Sequence, residues 1–131
     1  NKQSSKLVVC GNRYYPSNNL KRPLLRKIWS WGWRNFLSTL FWTKLPDTQC
    51  GFKAFSQDLI PSVLLKLKLP GFVADVEMIL RAQNVGAAIQ NIDIIWTEKK
   101  GSTIRWSTVF KMFAEVLYLR RHLNSWIKSH Y

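Results

Sequence analysis

Asp47-Thr48-Gln49-Cys50-Gly51-Phe52-Lys53-Ala54-Phe55 is the stretch on which the reading of the chain turns. A carboxylate, an amide, a thiol and a glycine crowd together ahead of an alternating Phe-Lys-Ala-Phe run, an order that predicts a polar loop feeding a short buried strand. Gly51 lets the backbone turn sharply where polar gives way to apolar. An ordinary turn capped by an Asp has the same composition. What sets this one apart is its setting, with a long basic segment before it and Asp75-Val76-Glu77 behind it.

The 131 residues, 47% of them hydrophobic, suit one domain with a real core and exclude disorder of the whole. The formal net charge of +13 is unevenly placed: Lys2, Lys6, Arg13, Lys21, Arg22, Arg26, Lys27, Arg34 and Lys44 all precede the first carboxylate, Asp47. A field of that sign attracts polyanions, whether nucleic acid, anionic lipid or a phosphorylated substrate, and charge alone does not choose among them. Seven Trp, seven Phe and four Tyr share the basic segments, which suits a membrane interface as well as a surface on which bases stack. No apolar run reaches the roughly 18 residues of a membrane span, so the chain is expected to lie on a membrane rather than cross it. Cys10 and Cys50 define neither a disulfide framework nor a ligand cluster, and His122 and His130 complete no zinc spacing, which leads to an expectation of reduced thiols in a cytosolic setting. An apolar strand as close to the start as Leu7-Val8-Val9-Cys10 reads like the middle of a larger sheet, and the chain is expected to be a fragment.

Lys6 to Cys10, ending at Gly11, reads as a buried strand of a mostly parallel sheet. Tyr14 to Arg22 carries turn residues without periodicity and is expected to be a mobile loop, either a substrate cover or a connector. Pro23 suits the first turn of a helix running to Trp42, with Gly32 as a point of bending or close approach. On that helix Arg26 and Ser30 are four apart and share a face, with Lys27 and Arg34 nearby. A solvated basic face and a phosphate site both remain open for that cluster. Ser56 is expected to cap a helix through Leu67, broken near Pro61. Val73 to Val85 reads as a helix ended by Gly86, with Asp75 and Glu77 in its first turn. Their side chains point about 200° apart, so only one faces a cleft comfortably. Ala88 to Thr97 reads as a strand, Glu98 to Ser102 as a charged flexible loop, and Trp106 to Lys128 as an amphipathic helix. Its expected apolar side is Trp106, Val109, Phe110, Phe113, Val116, Leu117, Leu123 and Ile127. An interfacial helix and a terminal helix packed on its own domain both fit that pattern. There is no internal repeat and no low-complexity segment.

Val8-Val9-Cys10-Gly11-Asn12-Arg13, Arg26 with Ser30, Asp47-Thr48-Gln49-Cys50-Gly51-Phe52-Lys53, Asp75-Val76-Glu77 and Trp96-Thr97-Glu98 with Gly101-Ser102 occur in one order. That series resembles the C-terminal half of family 2 glycosyltransferases acting on polyprenyl phosphates, especially the dolichyl-phosphate glucosyltransferase group. The resemblance implies an α/β chain that forms the C-terminal half of a GT-A-type fold. It divides the chain into residues 1–105, the acceptor side of the catalytic domain, and residues 106–131, a basic amphipathic terminal helix for which a membrane-interfacial place is one of the two expectations. It implies a nucleotide-sugar donor, UDP-glucose as first choice, and inversion at the sugar as it moves onto a polyprenyl phosphate. Carried over position by position, Arg13, Arg26 and Ser30 hold the acceptor phosphate, and Asp47, Gln49, Asp75 and Glu77 lie near the catalytic cleft. A divalent metal, Mg or Mn, is expected of the full-length enzyme. No D-x-D occurs in these residues, so no metal ligands are expected in this piece, and alone it is expected to be inactive. The group's G-S-K loop reads Gly101-Ser102-Thr103 here, leaving Lys99, Lys100 or Arg105 as substitutes for its lysine. Membrane association at the cytoplasmic face follows, at the endoplasmic reticulum in a eukaryote or the inner membrane in a bacterium. Two readings from other classes stand beside this one: a basic aromatic nucleic-acid-binding module and a noncatalytic membrane-surface module.

Overall fold

The structure, a computed structural model, describes residues 6–13, 24–96 and 105–128. The expected loops at Tyr14 to Arg22 and Glu98 to Ser102, and the role of Pro23, lie outside the described residues. So do the side chains of Ile127 and Lys128.

Among the described residues three strands form one sheet in the order β2-β1-β3. β1 (Leu7–Asn12) is central, and Val8 and Cys10 are fully buried. β2 (Lys53–Phe55) pairs with it antiparallel, Val8 opposite Phe55 and Cys10 opposite Lys53. β3 (Ala88–Asp93) pairs with it parallel, Leu7 opposite Ala88 and Asn12 opposite Asp93. The sheet is therefore mixed, and the strand after the central loop is a short edge strand rather than a buried one. β3 ends at Asp93, earlier than the apolar run suggested, and only Ile89 and Ile92 of its six residues turn partly inward.

α1 (Leu24–Phe41) runs unbroken through Gly32, where an added Cβ would meet nothing within 4 Å. Gly32 thus admits no close neighbour. The helix stops by a Schellman arrangement: Trp42 N donates to Thr39 O at 3.4 Å and Thr43 N to Ser38 O at 3.1 Å, with Trp42 in the left-handed region at φ 54°. A Trp there costs about 1–2 kcal/mol of backbone strain, since its Cβ crowds the following carbonyl. α2 (Phe72–Asn84) ends by the same device at Gly86, φ 77°, where glycine has no Cβ to crowd.

The helix expected over Ser56 to Leu67 is instead two short 3-10 turns, Gln57–Leu59 and Leu64–Lys66. Pro61 removes a donor in the middle of the segment, and the Ser56 hydroxyl is engaged elsewhere: it accepts from Leu7 N at 3.1 Å, while Ser56 N donates to Leu7 O at 2.9 Å. Ser56 thus extends the β1–β2 pairing instead of capping a helix.

α3 (Trp106–Lys128) packs along α2. Its buried residues are Val109, Met112, Val116, Leu119 and Leu123, and the last four join Val76, Ile79, Leu80 and Ala82 of α2 in one core with Val8 and Leu59. The apolar face is therefore rotated from the expected one. Trp106, Phe110 and Leu117 are exposed, and Met112 and Leu119 take the inward places. Of the two readings of this helix, packing on its own domain describes its buried face.

Candidate functional site

In an open α/β sheet, ligands gather where strand ends meet the following loops. Here that place is the end of β1, at Gly11-Asn12-Arg13, against the Asp47 to Phe52 loop. Gly11 N donates to Phe52 O at 2.9 Å, and a Cβ on Gly11 would stand 2.9 Å from Cys50 Sγ, 3.0 Å from Ile94 Cδ1 and 3.2 Å from Phe52 Cβ. Only a residue without a side chain lets the loop close this tightly. On the far side Asn12 Nδ2 donates to Asp93 Oδ1 at 2.9 Å, joining the ends of β1 and β3.

The loop itself is a turn closed by Cys50 N donating to Asp47 O at 3.1 Å, with Asp47, Thr48 and Cys50 buried. Asp47 meets Arg13, 34 residues earlier, in a two-point ion pair: Nε to Oδ2 at 2.6 Å and Nη2 to Oδ1 at 2.8 Å. The Asp47 side chain is 3% exposed and that of Arg13 14%, so the pair is held largely out of water, where such fork-to-fork contacts are strongest. The Arg13 guanidinium also lies over the Trp96 ring, 5.5 Å from its centroid. Ion pair and ring together fix the plane of the guanidinium.

Lys53, at the start of β2, organises the loop from below. Its ammonium donates to Thr48 O at 2.8 Å, donates to Cys50 O, and pairs with Asp75 Oδ1 at 3.1 Å. Its side chain is only 5% exposed. One buried charge therefore ties the Asp47 turn to the first turn of α2. Burial pushes the Cys10 thiol above its ordinary value of 9.0 despite the opposing pull of Lys53, so Cys10 stays protonated and is no nucleophile at neutral pH.

Asp75 and Glu77 part company as the helical geometry requires. Asp75 is 28% exposed and faces Lys53. Glu77 is fully buried and faces the opposite way. Its carboxylate accepts from Lys68 N at 3.1 and 3.2 Å, from Leu69 N at 3.1 Å and from Arg81 Nε at 2.8 Å. Arg81 in turn lies 5.9 Å from the Trp126 ring centroid, and its Nη2 has no hydrogen-bond partner. Glu77 thus ties the loop after the second 3-10 turn to α2, and Arg81 carries the link on to Trp126 of α3.

Arg26 and Ser30 stand on α1 at i and i+4, and Trp33 and Leu37, both buried, continue the same face at i+7 and i+11. The pair therefore extends the inward stripe of α1 toward its N-terminus, on the side turned to the domain. Gln49 occupies the third position of the Asp47 turn and is half-buried. Of the expected site residues, Arg13 and Asp47 meet directly, and Asp75 joins them through Lys53. Sequence reasoning assigned no role to Lys53 or Trp96, although both stood inside the quoted motifs. A lysine alternating with Phe in a strand is the signal that could have marked Lys53. Among the described residues no group of three His, Cys, Asp or Glu side chains could hold a metal ion, and no helix is long and apolar enough to cross a membrane.

No family profile matches the chain, and no solved structure matches it. Curated proteins do. The dolichyl-phosphate beta-glucosyltransferase of Dictyostelium discoideum is 31% identical over 117 residues, covering 86% of this chain and 36% of that protein. That of Saccharomyces cerevisiae is 30% identical over 104 residues, 77% of this chain and 31% of its own length. That of Homo sapiens is 28% identical over 117 residues, with shares of 86% and 36%. The chain is thus similar over most of its own length to dolichyl-phosphate beta-glucosyltransferases and spans about a third of theirs.

Proposed function

We propose that this chain is the acceptor-side part of an inverting glycosyltransferase with a GT-A-type fold, working at the cytoplasmic face of a membrane. It helps move a sugar, glucose first, from a UDP-sugar to a polyprenyl or dolichyl phosphate. The observation that carries this reading is the two-point Arg13–Asp47 ion pair at the end of β1, in a chain similar to dolichyl-phosphate glucosyltransferases over most of its length.

The chemistry needs little general-base help. A phosphate monoester has its second pKa near about 6, so the acceptor is largely dianionic at neutral pH and already nucleophilic. One of its oxygens forms a bond to the anomeric carbon as the bond from that carbon to the donor diphosphate breaks. The electron pair leaves with the diphosphate, and single displacement inverts the centre. The task of the protein is to bring two anions together and to hold the acceptor in line, which fixed guanidinium groups do by cancelling charge without reorganising. Arg13 takes that role, its plane set by Asp47 and Trp96, with Arg26 and Ser30 as the second contact on α1. Asp75 and Lys53 set the position of the loop carrying Asp47 and Gln49, and Glu77 has a structural duty. The described residues do not fit a metal, and no step here runs through one.

The test is transfer from radiolabelled UDP-glucose and GDP-mannose to polyprenyl phosphate with manganese present. This chain is compared with a longer one carrying additional N-terminal sequence of its kind. Transfer by the longer chain supports the reading and identifies the sugar, whereas silence of both overturns it. Within the site, Arg26→Ala should weaken lipid-phosphate binding far more than Lys2→Ala. Equal losses would show a diffuse basic surface, and tight single-strand binding with a steep salt dependence would favour a nucleic-acid module.

A further inference from the structure

The Asp47 to Cys50 turn is clamped from several directions. Cys50 N closes it on Asp47 O at 3.1 Å, and Gly11 N holds the chain that follows through Phe52 O at 2.9 Å. Arg13 grips the Asp47 carboxylate at 2.6 and 2.8 Å, while the Lys53 ammonium takes Thr48 O at 2.8 Å and also Cys50 O. The segment that enters the turn is fixed as well. It leaves α1 where Arg120 Nε of α3 donates to Leu40 O at 2.9 Å, beyond the contact of Phe113 with Trp33, whose ring centroids are 5.2 Å apart. Gln83 Nε2 of α2 then reaches Lys44 O at 3.5 Å.

The polar groups that make these clamps are committed within the fold, and Gln49 is not. Asp47, Thr48 and Cys50 are buried, Gln49 is half-buried, and among the described residues its side-chain amide has no hydrogen-bond partner. On a loosely held loop such an amide is ordinary solvation. On a turn fixed at both ends it is a polar group held in place. Its Cα stands no more than about 7.6 Å from that of Asp47, two trans peptides away, so Gln49 neighbours the guanidinium that Asp47 orients.

An amide offers both N–H donors and a carbonyl acceptor. Against phosphate oxygens, which only accept, the carbonyl is idle; against a hydroxyl, which donates and accepts, both ends are engaged. In the proposed reaction the oxygen that bonds to the anomeric carbon belongs to the phosphate on Arg13, so the group brought nearest this turn is the sugar. The nucleobase, whose edge also suits an amide, stands a diphosphate and a ribose further off. We infer that Gln49 hydrogen-bonds a hydroxyl of the sugar being transferred and is a specificity-determining residue of the reaction. It sets the ring against the acceptor phosphate and selects sugars with a hydroxyl at that place. The inference rests on the proposed sugar transfer and names the part of the donor that this turn reads.

The test uses the longer chain of the transfer assay, with whichever of UDP-glucose and GDP-mannose serves it as donor and with the series of singly deoxygenated sugar analogues of that donor. Gln49→Met, of similar length but without the amide, should lower kcat/KM for the natural donor about tenfold or more. One deoxy analogue should be a comparably poor donor for the parent. On that analogue parent and variant should transfer equally, because the partner hydroxyl is already gone, while the other analogues should show the full loss. The urea unfolding midpoint should not move, since the amide bonds nothing within the fold. An equal loss on every analogue would mark a contact to the leaving diphosphate or a merely structural duty. That result, an undiminished kcat/KM, or an equal fall in the binding of polyprenyl phosphate alone would each overturn the inference and leave the transfer reading in place. No transfer by the parent would overturn that reading and this inference together.

Discussion

Removing the Glu77 carboxylate tests whether this residue serves the framework rather than the reaction. The side chain is fully buried and accepts from two backbone amides and from Arg81 Nε. Glu77→Ala leaves the Arg81 cation, itself 3% exposed, without its anion. Stranding one member of a buried pair costs about 3–5 kcal/mol. The amides of Lys68 and Leu69 lose their acceptor as well, adding about 1 kcal/mol or more unless water reaches them. For 131 residues the whole stability is roughly 7–20 kcal/mol at roughly 0.05–0.15 kcal/mol per residue, so the variant loses a large fraction of it. Urea unfolding followed by tryptophan emission reads the loss as a shift in midpoint. Arg81→Met placed on Glu77→Ala removes the stranded charge and should restore about 2 kcal/mol, a non-additivity that mere cavity formation does not produce. A loss for Glu77→Ala below about 1 kcal/mol, or a double variant less stable than the single, would refute the reasoning.

Gly11→Ala places a methyl 2.9 Å from Cys50 Sγ and 3.2 Å from Phe52 Cβ, and should cost about 1–3 kcal/mol in the same unfolding assay. Lys53→Met strands Asp75 and the carbonyls of Thr48 and Cys50. It should destabilise by about 2–4 kcal/mol and, in the longer chain of the transfer test, lower lipid-phosphate binding through the displaced Asp47 loop. Because burial raises the folded Cys10 value above 9.0, the contribution of its thiol to stability is complete below that pH and is lost as pH climbs toward the folded value. Unfolding midpoints should therefore fall in alkali, and Cys10→Ala should flatten that fall. In the native chain Cys10 should also resist thiol reagents at neutral pH, reacting only as fast as the protein opens.

Local chemistry was legible from the residues in order. The apolar run at Leu7 to Cys10, the helical spacing from Leu24 to Phe41 and the glycine stop at Gly86 are set by neighbours within a few positions, and strand and helices followed them. The division between Asp75 and Glu77 was legible too, because the advance of about 100° per residue is a property of any helix. The sequence did not foretell the fate of Ser56, whose hydroxyl serves Leu7, 49 residues away, instead of a helix end. Nor did it foretell the rotation of α3: its apolar residues circle enough of the helix that several faces qualify, and contact with α2 selects one. The pairing of Arg13 with Asp47, of Lys53 with Asp75 and of α1 with α3 came only with the tertiary structure. Such contacts join residues far apart in the chain, and their strength depends on how completely the fold removes water from around them.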